Sequence, residues 1–213
     1  VFHGMRAAMQ HVFGTDEMKG RTIALQGVGQ VGFYLIGHLL GASAKVVVTD
    51  IDEEKLKRAR SQYEDIAIVP PEEIYDVASD VFAPCALGGT VNENTVPRLR
   101  AKIIAGSANN VLLDEDKDMS RLNERGITYV PDYVISAGGL INVANELEGY
   151  NRKQALAQAV SIFTIVEHLL KIAESEKIST LSAANAIAER RISSIAALKR
   201  TSLGRPLRPR RRL

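Results

Sequence analysis

The sequence has little of what disulfide-stabilised and membrane-spanning proteins need. It contains one cysteine and no tryptophan among 213 residues. A single cysteine, Cys85, excludes an internal disulfide framework and is typical of a reducing compartment, so we expect a cytoplasmic protein. No apolar stretch reaches the length of a membrane span, and the first residues lack the charged region and cleavage site of a signal peptide. We therefore expect no membrane partner.

Net charge is also small, because 27 basic residues nearly balance 25 acidic ones to leave +2. Five arginines lie in the last thirteen residues, and removing them turns the net charge of the remainder from +2 into −3. These arginines have neither interleaved aromatic residues nor a folded basic face, so the pattern indicates a solvated terminus rather than a nucleic-acid contact. We predict a disordered basic tail over 201–213.

The most informative feature is a glycine-rich turn. The apolar run TIALQ (22–26) leads into three glycines at G-x-G-x-x-G spacing, and a helical pattern follows over about 30–41. Such a turn lets backbone N–H groups at a helix N-terminus approach a dinucleotide pyrophosphate. A purely structural turn and a methyltransferase are the alternatives. The predicted cofactor-binding residues of the turn are Gly27, Val28, Gly29, Gln30, Val31 and Gly32.

An acid closes the second predicted strand, KVVVTD (45–50). Asp50 lies 18 residues past Gly32 and is followed by Ile51 and not by an arginine. A carboxylate at this place can accept hydrogen bonds from the adenine-ribose hydroxyls and would repel the 2′-phosphate of NADP, so we predict NAD as the cofactor. The alternative is a simple cap at the end of a strand.

Strand patterns alternate with helical patterns over the first 131 residues, separated by short turns. This order predicts an α/β fold with a Rossmann-type doubly wound parallel sheet, helices on both faces and additional C-terminal helices. The predicted strands span 22–26, 45–50, 66–70, 79–84, 102–106 and 127–131. The predicted helices span 1–14, 30–41, 52–63, 71–76, 115–125, 138–151, 152–176 and 179–200.

Two further segments end predicted strands and therefore face the ligand crevice. Cys85 lies in APCALGG, where the absence of a nearby histidine favours a small residue beside the cofactor over a nucleophile. Asn109 and Asn110 lie in GSANN, where amides can bind a nicotinamide ribose or a polar substrate group. Asn110 is equally suited to forming the turn.

A glycine pair opens the helix after the sixth strand. Leu140 and Val143 are three residues apart on one face of this helix, where they could wall an apolar pocket or pack against another helix. The four histidines show no spacing of metal ligands, so we predict no metal site.

Together these motifs resemble the glutamate/leucine/phenylalanine/valine dehydrogenase family, whose cofactor domain they match to about residue 195. The leucine branch fits best, and phenylalanine or valine dehydrogenases are the near alternatives. The segments that carry the resemblance are VFHGMRAA, KGRTIALQGVGQVG, VTDI, APCALGG, IAGSANN and PDYVISAGGLINVANELEGYN.

The resemblance implies reversible, NAD-dependent oxidative deamination of a branched or apolar L-amino acid to its 2-oxo acid and ammonia. It implies that Asp50 and Ile51 meet the adenine ribose, beside a pyrophosphate on the glycine turn. It places Cys85, Ala86 and Asn109 near the nicotinamide ribose. It places Asn109, Leu140 and Val143 around the substrate. Two residues depart from the family pattern: Ser136 replaces a usual Asn, and Asn145 an Asp that is frequent there.

The resemblance also implies that the catalytic lysines and aspartate belong to an amino-terminal domain or to the segment just before Val1. We therefore assign no catalytic residue in this chain, expect it to be inactive alone, and expect a homo-oligomer at full length. The expected organisation is an NAD-binding domain with an N-terminal linking helix over 1–150 and a helical segment packing on it over 151–200. The rival hypotheses are a non-catalytic NAD-binding module and an unrelated Rossmann oxidoreductase.

Overall fold

A computed structural model describes residues 1–147 and 149–201. Within them, six parallel strands form one sheet in the order β3-β2-β1-β4-β5-β6. The strands are β1 Thr22–Gln26, β2 Lys45–Thr49, β3 Ile66–Ile68, β4 Val81–Pro84, β5 Ile103–Ile104 and β6 Thr128–Tyr129. The helices are α1 Phe2–Phe13, α2 Gln30–Gly41, α3 Glu53–Gln62, α4 Glu115–Glu124, α5 Asp132–Ile135, α6 Gly138–Leu147, α7 Arg152–Val160, α8 Ile162–Glu176 and α9 Thr180–Thr201. Except for Thr201, the predicted basic tail lies outside the described residues.

The strand order reverses between β1 and β4, which are neighbours in the sheet although β2 and β3 intervene in sequence. Gln26, the last residue of β1, is level with Thr49 of β2 on one side and Pro84 of β4 on the other. The carboxyl ends of these three strands therefore meet at one edge, where doubly wound sheets form their ligand crevice. The predicted Rossmann-type fold is confirmed.

Alternate residues of β1, β2, β4 and β5 contribute to two hydrophobic layers. In β1, Ile23 and Leu25 belong to the layer that includes residues of α1, α2 and α8, whereas Ala24 belongs to the layer that includes residues of α4. All three side chains are fully buried. This alternation is what a strand covered on both faces requires, since successive side chains point to opposite sides.

The helix predicted over 152–176 is present as α7 and α8, which adjoin at Ser161. The N–H of Ser161 donates to the carbonyl of Ala157 and its own carbonyl accepts from Ile165, so helical hydrogen bonds continue through the junction. The structure corrects two other predicted helices. The helix predicted over 138–151 ends at Leu147. The short helix predicted over 71–76 is only a 3₁₀ turn at Ile74–Asp76. The outer strands β5 and β6 are also shorter than predicted, at two residues each.

The sequence was expected to contain no apolar stretch as long as a membrane span, yet Arg152–Glu176 is long and apolar enough to cross a membrane by length and composition. Its C-terminal part, α8, has one apolar face buried against the rest of the chain, including Val166, Leu169 and Leu170. A core helix meets the same criterion, so packing accounts for the apolar character of this face.

Candidate functional site

The glycine turn connects β1 to α2, and two of its glycines are required by contacts. Gly27 has a left-handed φ of 99°, and a Cβ there would lie 2.7 Å from the Cβ of Ala86. A Cβ on Gly32 would lie only 2.0 Å from the carbonyl oxygen of Gly27. Any side chain at either position would force the turn apart from the β4 loop or from α2.

Gly29 differs, because a Cβ there would meet nothing within 4 Å. It is the N-cap of α2, and no side chain caps this helix. The first N–H groups of a helix have no acceptor within it, and the helix dipole adds partial positive charge. The open side of Gly29, with exposed Gln30 and Val31 after it, is therefore a place where a pyrophosphate can approach the backbone.

Asp50 follows β2 and reaches the turn with its side chain. Its Oδ2 accepts the N–H of Val28 at 2.7 Å, and its Oδ1 accepts the N–H of Asp52 at 2.9 Å. The carboxylate therefore does act as a cap at the end of the strand. Each carboxylate oxygen accepts more than one hydrogen bond, so acceptor capacity for ribose hydroxyls remains.

A pocket of about 180 Å³ lies between the ends of β1 and β2 and the loop after β4. Three polar atoms of its lining residues are buried and have no hydrogen-bond partner among the described residues. They are Gln26 Oε1, Thr49 Oγ1 and Thr90 Oγ1. Unsatisfied buried polar groups are uncommon in folded proteins, and here they fit a ligand with its own donors and acceptors, such as a nucleobase.

These three residues were not among those predicted from the sequence. Gln26 and Thr49 are the last residues of their strands, a position that signals proximity to the crevice, but their burial depends on neighbouring chain segments. Predicted residues of the turn, the second strand and the APCALGG segment join them in the pocket. These predicted residues are Gly27, Asp50, Ile51 and Ala86.

Cys85 extends this edge of the sheet, with its N–H donating to the carbonyl of Gln26 at 2.7 Å. Burial raises the pKa of the Cys85 thiol, and hydrogen bonds from Ser107 offset only part of this effect. A raised pKa keeps the sulfur protonated and weakly nucleophilic. The geometry therefore favours the small-residue interpretation of Cys85 over nucleophilic chemistry.

Asn109 lies exposed in the loop after β5. The loop is held against β4, because the N–H of Ala108 donates to the carbonyl of Pro84 at 2.9 Å. Asn110 has a left-handed φ of 52° and forms the turn. This agrees with the alternative prediction that Asn110 is a turn-forming residue.

The helix α6 carries the predicted substrate-pocket residues on an open surface. Leu140 is 74% exposed and Val143 is 53% exposed, so neither belongs to the buried core of the described residues. The N-terminal end of α6 faces α2, since Gly138, Gln30 and Val31 line one cavity of about 700 Å³. The structure thus brings the start of α6 to the glycine turn but does not join Leu140 or Val143 to the small pocket.

The two departures from the family pattern have internal partners. The Ser136 hydroxyl donates to the carbonyl oxygen of Asp132 at 2.6 Å. The Asn145 amide donates to Ile141 at 2.8 Å and to the side-chain oxygen of Gln158 at 2.6 Å, which ties α6 to α7. An aspartate at 145 could not donate to Gln158, so here the amide has a structural role.

Comparisons with known proteins agree with this geometry. The family model for Glutamate/Leucine/Phenylalanine/Valine dehydrogenase matches residues 1–199. Leucine dehydrogenase of Bacillus cereus is 49% identical over 195 residues, which cover 92% of this chain and 53% of that protein. Phenylalanine dehydrogenase of Thermoactinomyces intermedius is 40% identical and covers 100% of this chain, against 58% of its own length.

The structural comparison gives the same picture. L-tryptophan dehydrogenase from Nostoc punctiforme superimposes with a TM-score of 0.87 at 40% identity, covering 91% of this chain and 57% of that one. The chain thus spans about half the length of the curated relatives it matches.

Proposed function

The chain belongs to the glutamate/leucine/phenylalanine/valine dehydrogenase family, and we propose that it forms the NAD-binding part of a leucine-like amino-acid dehydrogenase. The whole enzyme would oxidatively deaminate a branched-chain or apolar L-amino acid to its 2-oxo acid and ammonia. One observation carries the proposal: the glycine turn, Asp50 and the small pocket lie together at one edge of the sheet. The residues that line this pocket include three buried polar atoms without a hydrogen-bond partner among the described residues.

In this proposal the glycine turn holds the pyrophosphate at the start of α2. Asp50 accepts hydrogen bonds from the adenine ribose, and the pocket lined by Gln26, Thr49 and Thr90 receives the adenine. Cys85, Ala86 and Asn109 lie on the side of the nicotinamide ribose. When bound, the nicotinamide would supply the two-electron acceptor of the reaction.

The preference for NAD over NADP rests on the charge and fixed position of Asp50. Both of its oxygens are held by backbone N–H groups, at 2.7 and 2.9 Å. A carboxylate held in this way cannot swing aside for a 2′-phosphate, and Ile51 beside it supplies no compensating positive charge.

The leucine-like substrate is favoured by the relatives. The leucine dehydrogenases among these relatives are 44–49% identical to this chain, whereas two phenylalanine dehydrogenases are 40–41% and a tryptophan dehydrogenase 42% identical. Leu140 and Val143 would line the side-chain pocket from α6 once a substrate domain faces them. Their exposure in this chain supports such an arrangement. A phenylalanine- or valine-type substrate is the second candidate.

The catalytic groups would come from outside this chain, as the family resemblance implies, so the chain alone would bind cofactor without turnover. We further propose a cytoplasmic enzyme that forms a homo-oligomer at full length and acts on a small amino acid, without nucleic-acid or membrane partners.

Calorimetric titration of the chain with NADH, NADPH and S-adenosylmethionine tests the cofactor part of the proposal. We expect binding of NADH, weaker binding of NADPH and no binding of the third compound. Preference for S-adenosylmethionine would favour the methyltransferase alternative. Steady NADH production from leucine and NAD by this chain alone would contradict the absence of catalytic residues.

The substrate part needs the longer protein. A protein with a lysine-bearing substrate domain ahead of Val1 should reduce NAD with leucine, valine or isoleucine. A native start near Val1 would instead support a non-catalytic NAD-binding module.

A further inference from the structure

The loop after β5, which carries Asn109, is fastened on two sides. On the side of β4, the N–H of Gly89 donates to the carbonyl oxygen of Asn110 at 2.7 Å. On the side of β6, Oδ2 of Asp132 accepts the N–H of Val111 at 3.2 Å. Asn109 therefore directly precedes two residues, Asn110 and Val111, whose backbone groups are hydrogen-bonded to the segments that follow β4 and β6.

Asp132 is itself held in one orientation. Its Oδ1 accepts the N–H of Tyr133 at 2.6 Å, and its own N–H donates to the hydroxyl oxygen of Tyr129 at 3.3 Å. Its carbonyl oxygen accepts the Ser136 hydroxyl at 2.6 Å. With one carboxylate oxygen and the backbone engaged, the second oxygen is directed at Val111.

The need for such an anchor follows from the backbone of Asn110. Its left-handed φ of 52° is more accessible to asparagine than to most other residues with a side chain, but it is still less favourable than right-handed φ and benefits from an anchor. Val111 is the next residue, so a carboxylate that fixes its N–H also fixes the peptide that follows Asn110. Release of that N–H would leave this peptide held only through the Asn110 carbonyl, so that it could rotate about that bond and redirect Asn109.

We propose that Asp132 is a positioning residue, which holds Asn109 for the nicotinamide-ribose half of the cofactor through the Val111 N–H. The inference rests on the proposed function, because it needs NAD to extend from the glycine turn to this loop. A purely structural role would weaken the binding of both halves of the cofactor alike. If Asp132 positions Asn109, loss of its side chain should weaken binding of the nicotinamide-ribose half more than binding of the adenosine half.

The test compares NADH with ADP in calorimetric titrations of the chain and its Asp132→Ala variant. ADP carries the adenosine and diphosphate but lacks the nicotinamide ribose. We expect the variant to bind NADH about tenfold more weakly, as loss of one hydrogen bond between Asn109 and the cofactor predicts, and ADP within about twofold of the wild type. Fluorescence of bound NADH should change as well.

Asp132→Asn is the conservative rescue, since its amide oxygen can still accept the Val111 N–H, and it should bind NADH more nearly like the wild type. Asp132→Ser shortens the side chain and should repeat the selective loss if the alanine variant does not fold. Asp80→Ala is the matched control. The Asp80 carboxylate also accepts a backbone N–H, that of Thr22 at 2.8 Å, but it lies at the opposite edge of the sheet. It should leave the NADH-to-ADP affinity ratio unchanged.

Equal losses for NADH and ADP in Asp132→Ala, or the same selective loss in Asp80→Ala, would overturn the inference while leaving the proposed function intact. A wild-type chain that binds neither NADH nor ADP would instead overturn the proposed function together with the inference.

Discussion

The side chain of Asp50 and the backbone of Val28 are joined by a hydrogen bond of 2.7 Å, although 22 positions separate them in sequence. This bond ties the end of β2 to the glycine turn that follows β1. The residue proposed to select NAD is therefore also a residue that shapes the turn. Its two roles should respond together to mutation.

Asp50→Ala should lose stability and cofactor affinity at once. The buried N–H of Val28 would lose its acceptor, which costs about 1–3 kcal/mol of unfolding free energy. NADH affinity should fall about tenfold, and the ratio of NADPH to NADH affinity should rise because the repulsive charge is gone. Denaturant unfolding and calorimetry measure the two effects. Asp65→Ala, at an exposed aspartate before β3, is the control. An unchanged NADPH-to-NADH ratio in Asp50→Ala would contradict the assigned role.

Gly29 and Gly32 should separate binding from folding. In Gly32→Ala the new Cβ would lie 2.0 Å from the Gly27 carbonyl oxygen, so we expect a stability loss of about 3 kcal/mol. In Gly29→Ala the Cβ meets nothing within 4 Å, and the loss should not exceed about 1 kcal/mol, the cost of a poorer N-cap. The methyl group would nevertheless stand where the pyrophosphate approaches, and NADH affinity should fall at least about tenfold. If a folded Gly29→Ala variant bound NADH with wild-type affinity, the glycine turn would not be part of the cofactor-binding site.

Cys85 gives a pH-dependent readout of the crevice. Because burial raises the pKa of its thiol, the thiolate fraction at neutral pH is smaller than for a free cysteine. Alkylation should therefore be slow until the pH exceeds the usual pKa of a cysteine thiol. Ser107→Ala removes the side-chain hydrogen bond that lowers this pKa and keeps the backbone one, so the rate profile should shift to still higher pH. Iodoacetamide labelling followed by mass spectrometry is unambiguous, since the chain has one cysteine. Fast labelling at neutral pH would contradict the burial argument, and protection by NADH would support the position proposed for Cys85.

Gly4 tests the packing of α1 on the rest of the chain. A Cβ there would lie 2.6 Å from a side-chain carbon of Ile135 and 3.3 Å from one of Val166. Gly4→Ala should therefore destabilise the chain by about 1–3 kcal/mol through overpacking. Gly41→Ala is the matched control, because a Cβ at this exposed position in α2 meets nothing within 4 Å. That control should change stability by less than about 0.5 kcal/mol, because Gly41 is the last residue of α2 and the full gain in helix propensity applies to a helix interior. Chemical denaturation measures both, and equal effects would contradict the close contact.

Much of this protein could be predicted from local sequence. The glycine spacing, the strand that precedes it and the acid closing the next strand are each set by a few neighbouring residues. The strand β1 and the helix α2 accordingly have the predicted bounds. Alternation of strand and helix patterns was enough to predict the sheet class, because parallel strands need covered crossovers.

Only the tertiary structure decided which polar groups are buried without a partner among the described residues, and which loops are hydrogen-bonded to one another. Gln26, Thr49 and Thr90 line one pocket because three strand ends lie side by side, and Asp132 reaches Val111 across 21 positions in sequence. Local propensity and spacing act over a turn or two of chain, whereas burial and long-range hydrogen bonds depend on which segments the fold brings together.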